Sequence, residues 1–138
     1  MKDFLFIIPG PPKGKARPRV VHGHAYTPES TVQYEKQVQQ AWREAAGDWK
    51  AENDQPLALY ISMFYPIPKS HTKKKQEFER RNWILPTKKP DIDNVLKIIM
   101  DGLNGIAYAD DKQVVEVTMR KRFSTTPRVE VELREVAP

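Results

Sequence analysis

The chain has 138 residues, 39 % of them hydrophobic, 30 % charged and 12 of them proline. That is enough apolar material for one packed core with prominent loops, and it argues against disorder and fibrous repeats. No apolar run approaches the length of a bilayer span. With no cysteine there is no disulfide, no thiolate metal site and no thiol nucleophile, so a reducing cytoplasm is the expected compartment. The formal net charge of +5 favours an anionic partner such as nucleic acid.

In chain order, Phe4 to Ile8 reads as a strand stopped by Pro9-Gly10-Pro11-Pro12. The apolar start is too short for a signal peptide and lacks a small-residue cleavage site. A short strand is expected near Val20 to Tyr26. It contains His22-Gly23-His24, whose histidines lack a nearby acid and read as surface residues. Thr27-Pro28-Glu29 starts a helix, with Thr27 as the cap and Pro28 in the first turn. Tyr34, Val38, Ala41, Trp42 and Ala45 share one face of it, and Gly47 closes it.

Leu57 to Tyr65 is apolar at both odd and even positions, which predicts a central strand covered on both faces. A second helix spans roughly Ile92 to Leu103, with Val95, Leu96, Ile99, Met100 and Leu103 as its buried stripe. Ile98 falls off that stripe and is a candidate contact for a partner. Val114 to Phe123 and Arg128 to Val136 alternate and are joined near Thr125-Thr126-Pro127, as in a terminal hairpin. The expected fold is a single α+β domain over residues 1–138. It has a sandwich-like architecture in which two main helices pack on a small mixed sheet, with one long basic loop.

Two basic stretches stand out. The first holds Lys13, Lys15, Arg17 and Arg19, with no acid between Asp3 and Glu29. The second, between Pro66 and Pro90, holds Lys69, Lys73, Lys74, Lys75, Arg80, Arg81, Lys88 and Lys89 against Glu77 and Glu79 alone. Solvated loops are the commoner fate of such runs, but a connection this long inside a compact domain usually works or is disordered. Phosphate contacts by Lys13, Lys15, Arg17, Arg19, Lys69, Lys73, Lys74, Lys75, Lys88 and Lys89 are therefore expected. Trp83 is expected to anchor the second stretch to the body; the alternative is stacking on an unpaired base.

Between and beyond these stretches lies an acidic string. It runs from Lys89-Pro90-Asp91-Ile92-Asp93-Asn94 through Lys97 and Asp101-Gly102-Leu103-Asn104-Gly105 to Asp110-Asp111. Asp93 and Lys97 are helix neighbours one turn apart. Asp110-Asp111 precedes a strand whose beginning is expected beside the helix start. Carboxylates brought together repel unless a cation intervenes, and a hard divalent ion suits oxygen ligands. Asp91, Asp93 and Asp111 as metal ligands, with Lys97 as electrostatic helper, would make a coherent phosphodiesterase site. Each position also has a bland use, as helix cap, turn residue or surface ion pair. Asp93, Lys97, Asp101 and Asn104 cluster on one face of the helix, but Asp101, a further quarter-turn round, reads as a surface acid.

The string Asp91-x-Asp93-Asn94…Lys97…Asp110-Asp111-x-Gln113-Val114, the Pro9-Gly10-Pro11-Pro12 stop and the basic loop resemble the RusA family of Holliday junction resolvases, common in prophages. The resemblance implies a small homodimeric, Mg²⁺-dependent endodeoxyribonuclease that cuts four-way DNA junctions in recombination and repair, with Mn²⁺ as a substitute. It puts the catalytic acids on Asp91, Asp93 and Asp111, with Asp110 beside them, and the catalytic lysine on Lys97. Other functions compatible with the residues are a flap or general nuclease, a non-enzymatic basic DNA-binding module and a small phosphate-ester hydrolase.

Overall fold

A computed structural model of the chain describes residues 1–17 and 19–138, with Arg19 described in its backbone alone. The elements in order are β1 (Asp3–Pro9), β2 (Arg19–Val21), β3 (His24–Tyr26), α1 (Glu29–Ala46) and β4 (Leu57–Pro66). They continue with α2 (Lys73–Arg80), α3 (Ile92–Leu103), a 3₁₀ turn (Asp111–Gln113), β5 (Val114–Ser124) and β6 (Arg128–Glu135). The expected α+β fold is present. A four-stranded mixed sheet in the order β1-β6-β4-β5 carries α1 and α3, and β2-β3 forms a separate antiparallel pair.

The core lies between one face of the sheet and the two long helices. Phe6, Ile8, Leu57, Leu59, Ile61, Met63, Val131 and Leu133 meet Val38 and Trp42 of α1 and Val95, Ile98, Ile99 and Leu103 of α3. Ile98 is fully buried and belongs to this core, so it is no exposed contact, whereas Leu96 and Met100 are only partly buried. The buried arc of α3 is rotated towards the Ile98–Gly102 side, where α1 packs on it. At the α1–α3 contact a Cβ on Gly102 would stand 3.0 Å from Val38 Cγ1, so the absence of a side chain lets the helices approach.

Four further expectations are corrected. β5 and β6 do not form a hairpin: β4 lies between them, parallel to β5 and antiparallel to β6. Alternation defines a strand's faces but not its partner, and the nearly all-apolar β4 takes the most buried lane. β4 is covered on one face only. On the other face Tyr60, Ser62 and Phe64 are half-buried under side chains of the sheet itself, with Arg134 over Tyr60 at 4.9 Å and Arg128 over Phe64 at 4.0 Å.

α1 is entered through Pro28 rather than capped by Thr27. The Pro28 carbonyl accepts the Thr31 and Val32 amides, Thr31 is buried and Ala45 is exposed. Finally, the long basic segment contains α2, capped by the Thr72 hydroxyl, which accepts the Lys75 amide at 3.2 Å. Its lysine- and glutamate-rich sequence has little apolar periodicity to announce a helix.

Other expectations hold. Gly47 closes α1 with a φ of 63°, Trp42 is fully buried and Trp49 packs at its edge. His22 and His24 are exposed around the β2–β3 turn.

Candidate functional site

α3 is the platform for the acidic string. Asp91 is its N-cap residue, with extended backbone and no side-chain capping bond, so its carboxylate is not consumed by the helix. Pro90, preceded by a cis peptide bond, brings the chain into the helix, and its carbonyl accepts the Tyr65 hydroxyl at 2.5 Å. Burial, then the charge of Asp91, push the Tyr65 hydroxyl up to about 12. The start of α3 is thereby tied to the C-terminal end of β4.

One turn into the helix, Asp93, Leu96, Lys97, Met100 and Asp101 line a hollow of about 220 Å³ together with Asp111. Asp111 reaches it from the turn before β5. Its carboxyl feels the charges of Asp101 and Lys97, further along α3 than the helix start. The hollow gathers Asp93, Lys97 and Asp111 and adds Asp101, which shares their helix face but was read as a surface acid. Asp91 and Asp110 are not among its lining residues.

The second arm is rigid for a reason visible in its bonds. Asp110 accepts the Lys112 amide at 3.0 Å, and Gln113 completes a capping box. The buried Gln113 amide also accepts the Ala109 and Asp110 N–H groups at 3.0 and 3.2 Å and donates to the carbonyls of Glu52 and Gln55 at 2.8 and 3.2 Å. From sequence Gln113 was one letter of the family string, with no role given to it. The Asp110-x-x-Gln113 spacing is itself a capping-box signature and was the available signal.

The electrostatics of the pair are asymmetric. Burial, then Asp110 and the charge of Asp101, raise the Asp111 carboxyl above its ordinary range against the pull of Lys97. The Lys112 amide, above all, holds Asp110 below it. A proton added to this pair therefore goes to Asp111.

Asp101 is the hub of the basic side. Its Oδ2 lies 3.0 Å from Lys15 Nζ and 3.6 Å from Lys97 Nζ. Lys15 also donates to Glu35 of α1 at 2.8 Å. Burial pulls the Lys15 ammonium down, but its bonds to Glu35 and Asp101 together raise it above the ordinary lysine value. Lys15 is thus engaged within the protein, unlike the freer phosphate ligand expected from sequence. Its segment is pinned as well. The Lys15 amide donates to the Asn94 carbonyl at 3.0 Å, and a Cβ on Gly14 would stand 3.0 and 3.1 Å from the Cβ atoms of Asn94 and Pro90.

The remaining basic candidates differ in exposure. Arg17, Lys69, Lys73, Lys74, Lys75, Lys88 and Lys89 are exposed and Lys13 is half-buried; the side chain of Arg19 lies outside the described residues. The fitness of the acids for a hard divalent cation rests on donor chemistry: all are carboxylate oxygens, and those around Asp111 repel one another. Among the described residues, however, no three potential ligands are gathered closely enough to hold an ion. No helix among them is long and apolar enough to cross a membrane.

The chain is similar to known proteins over most of its length. Residues 9–134 match a family model described as "Endodeoxyribonuclease RusA". Over 84 residues the chain is 43 % identical to "Uncharacterized protein YqaN" of Bacillus subtilis (strain 168), covering 59 % of this chain and 59 % of that protein. Over 86 residues it is 31 % identical to "Crossover junction endodeoxyribonuclease rusA" of Lactococcus phage r1t, covering 62 % of this chain and 59 % of the phage protein. The matched stretch therefore spans less than two thirds of either relative.

Proposed function

The chain belongs to the RusA endodeoxyribonuclease family, and from that premise we propose that it is a Mg²⁺-dependent nuclease that resolves four-way DNA junctions by symmetric phosphodiester hydrolysis. The observation that carries this reading is the meeting of Asp93 and Lys97 of α3 with Asp111 in one hollow. Asp91, Asp93 and Asp111, with Asp110 adjacent, are the proposed holders of the cation, which when bound supplies Lewis-acid polarisation of a phosphodiester oxygen.

The protein's own groups do the rest. Lys97 is 62 % exposed and only 3.6 Å from its nearest acid, a loose pair whose ammonium can turn to the charge developing on phosphate. An acidic hollow repels DNA, so affinity has to come from exposed lysines and arginines elsewhere on the surface. Resolution needs two matched cuts, and a two-fold homodimer presenting two hollows is the economical arrangement.

The test is cleavage of a synthetic four-way junction with Mg²⁺, beside flap and duplex substrates at one salt concentration. Preferential junction cleavage that Asp93→Asn abolishes is expected. Equal cleavage of flaps would make the chain a general nuclease. A binding-only module is favoured by the absence of a gathered three-ligand cluster among the described residues. It predicts no Mg²⁺-dependent turnover and no shift of the melting temperature with Mg²⁺.

A further inference from the structure

The three tryptophans have three different fates. Trp42 is fully buried and Trp49 half-buried, but Trp83 is 66 % exposed. It does not anchor the basic segment to the body. Ile84 is partly buried against the core and Pro86 is buried, so the chain around Trp83 is held by its neighbours while the indole stands out.

The ring is also held in place. Its centroid lies 5.4 Å from that of Phe78 at 45° and 5.1 Å from the Arg81 guanidinium, which Glu77 in turn binds at 2.6 Å. The Trp83 amide donates to the Phe78 carbonyl at 2.9 Å. Asn82 turns the chain with a φ of 57°, and its Oδ1 accepts the Phe123 amide at 2.9 Å. This bolts the turn to the C-terminal end of β5. An exposed, immobilised indole leaves little conformational entropy to lose on stacking.

Its position is informative. Phe123 is the register partner of Tyr65, and the Tyr65 hydroxyl holds the entrance to α3 through Pro90. Trp83 and the start of the acidic helix are thus fixed at the same end of two adjacent strands. The surrounding charge selects the ligand. Lys74 lies over the ring of Phe78 at 5.8 Å, and Lys75 and Lys88 line a hollow with Ile84 and Leu85, the residues that follow Trp83, whereas Glu77 is taken up by Arg80 and Arg81 and Glu79 is buried against His71. An aromatic face set among cations fits a nucleobase carried on phosphates, since every base has a π-face and the backbone meets the lysines.

We infer that Trp83, backed by Phe78 and Arg81, is a stacking platform for a base left unpaired at the branch point, and that it distinguishes a junction from continuous duplex. This deepens the junction-resolving reading and rests on it. In duplex DNA the bases are stacked on one another and offer no free face. At an open branch point at least one face is free.

The test uses the full chain, a four-way junction carrying 2-aminopurine at the branch point, and matched duplex. The parent should quench the 2-aminopurine on binding. Trp83→Ala should lose the quench and about 5- to 100-fold of junction affinity while duplex affinity stays within about twofold. Trp83→Phe, which keeps a ring, should retain most of both. Unchanged junction affinity and quench in Trp83→Ala would overturn the inference, as would an equal loss for junction and duplex, because either outcome removes the discriminating role. A parent that never prefers junction would instead overturn the proposed function. That failure is visible before any variant is made.

Discussion

The Lys15 ammonium lies 3.0 Å from the Asp101 carboxylate and 2.8 Å from that of Glu35, so one side chain from the N-terminal segment joins α1 to the acidic face of α3. Asp101 also faces Lys97, and Lys15 therefore sets how strongly Asp101 holds the proposed catalytic ammonium. Lys15→Met should take from Glu35 its bond to Lys15 and leave Asp101 with Lys97, cost about 1 kcal/mol of stability and draw Lys97 towards Asp101. Cleavage should fall about tenfold through kcat rather than KM, and Lys15→Arg should restore much of it. A change confined to KM would show that Lys15 acts as a DNA contact. The sign with pH follows from its raised value in the fold. The stabilisation is complete below the ordinary lysine pKa of about 10.4 and is lost as pH climbs through the higher folded value. Melting of parent and Lys15→Met should converge there.

Asp111 carries the opposite sign. Burial and neighbouring acids raise its carboxyl, so the fold penalises the charged form and Asp111 detracts from stability at neutral pH. Asp111→Asn should abolish cleavage, keep junction binding and raise stability at pH 7 by less than about 1 kcal/mol, since the group is largely exposed. The gain should vanish near pH 3, below the ordinary carboxylate value of about 3.9, where the folded and unfolded groups are both protonated. Melting curves at the two pH values decide this, and a gain that persists in acid would contradict the assignment.

Lys97→Met should lower junction cleavage by about 10²- to 10³-fold, the scale of removing one electrostatic stabiliser of a transition state. Because Lys97 is an exposed single charge, binding should weaken far less than turnover. Single-turnover kinetics at saturating enzyme separate the two effects.

Gln113→Ala removes four hydrogen bonds that hold the turn before β5. Stability should fall by about 1–3 kcal/mol, the cost of leaving buried partners unsatisfied. Cleavage should fall too, as the Asp111 arm loosens. Denaturant unfolding and junction cleavage check the two halves.

Substituting Lys73, Lys74 and Lys75 together by Gln should weaken DNA binding and flatten its salt dependence. The slope of log affinity against log salt should drop by up to about 2 to 3 if all three touch phosphate. An unchanged slope would place the DNA elsewhere.

What could be read from sequence divides along physical lines. Asp93 and Lys97 were legible because helix periodicity places i and i+4 on one face. Asp111 was legible as a partner because an acid pair just before a strand was expected beside the helix start, and the family resemblance pointed to the same residue; that the turn also faces Asp101 could not be read from spacing. Asp101 falls on the same helix face but was discounted, because it lies a further quarter-turn round from Asp93. Relative to Lys97 it is one turn further on, and the Asp111 arm arrives on that side. The side-by-side order of strands was lost for a similar reason: alternation in β5 and β6 describes what each buries, not that β4 separates them. Trp83 was expected to be an anchor because its size and hydrophobicity favour burial in general.

The co-directional course of β4 and β5 has an evolutionary and engineering corollary. A polypeptide leaving the far edge of one must travel back the whole length of the sheet before entering the other. Residues 67–113 are that return journey, and nearly every group assigned here to gripping or cutting DNA rides on it. Shortening the cationic segment from inside would therefore strain the very helix that bears Asp93 and Lys97. Exchanging it for one of equal span, with different charges, is the way to retarget the molecule while leaving its architecture untouched.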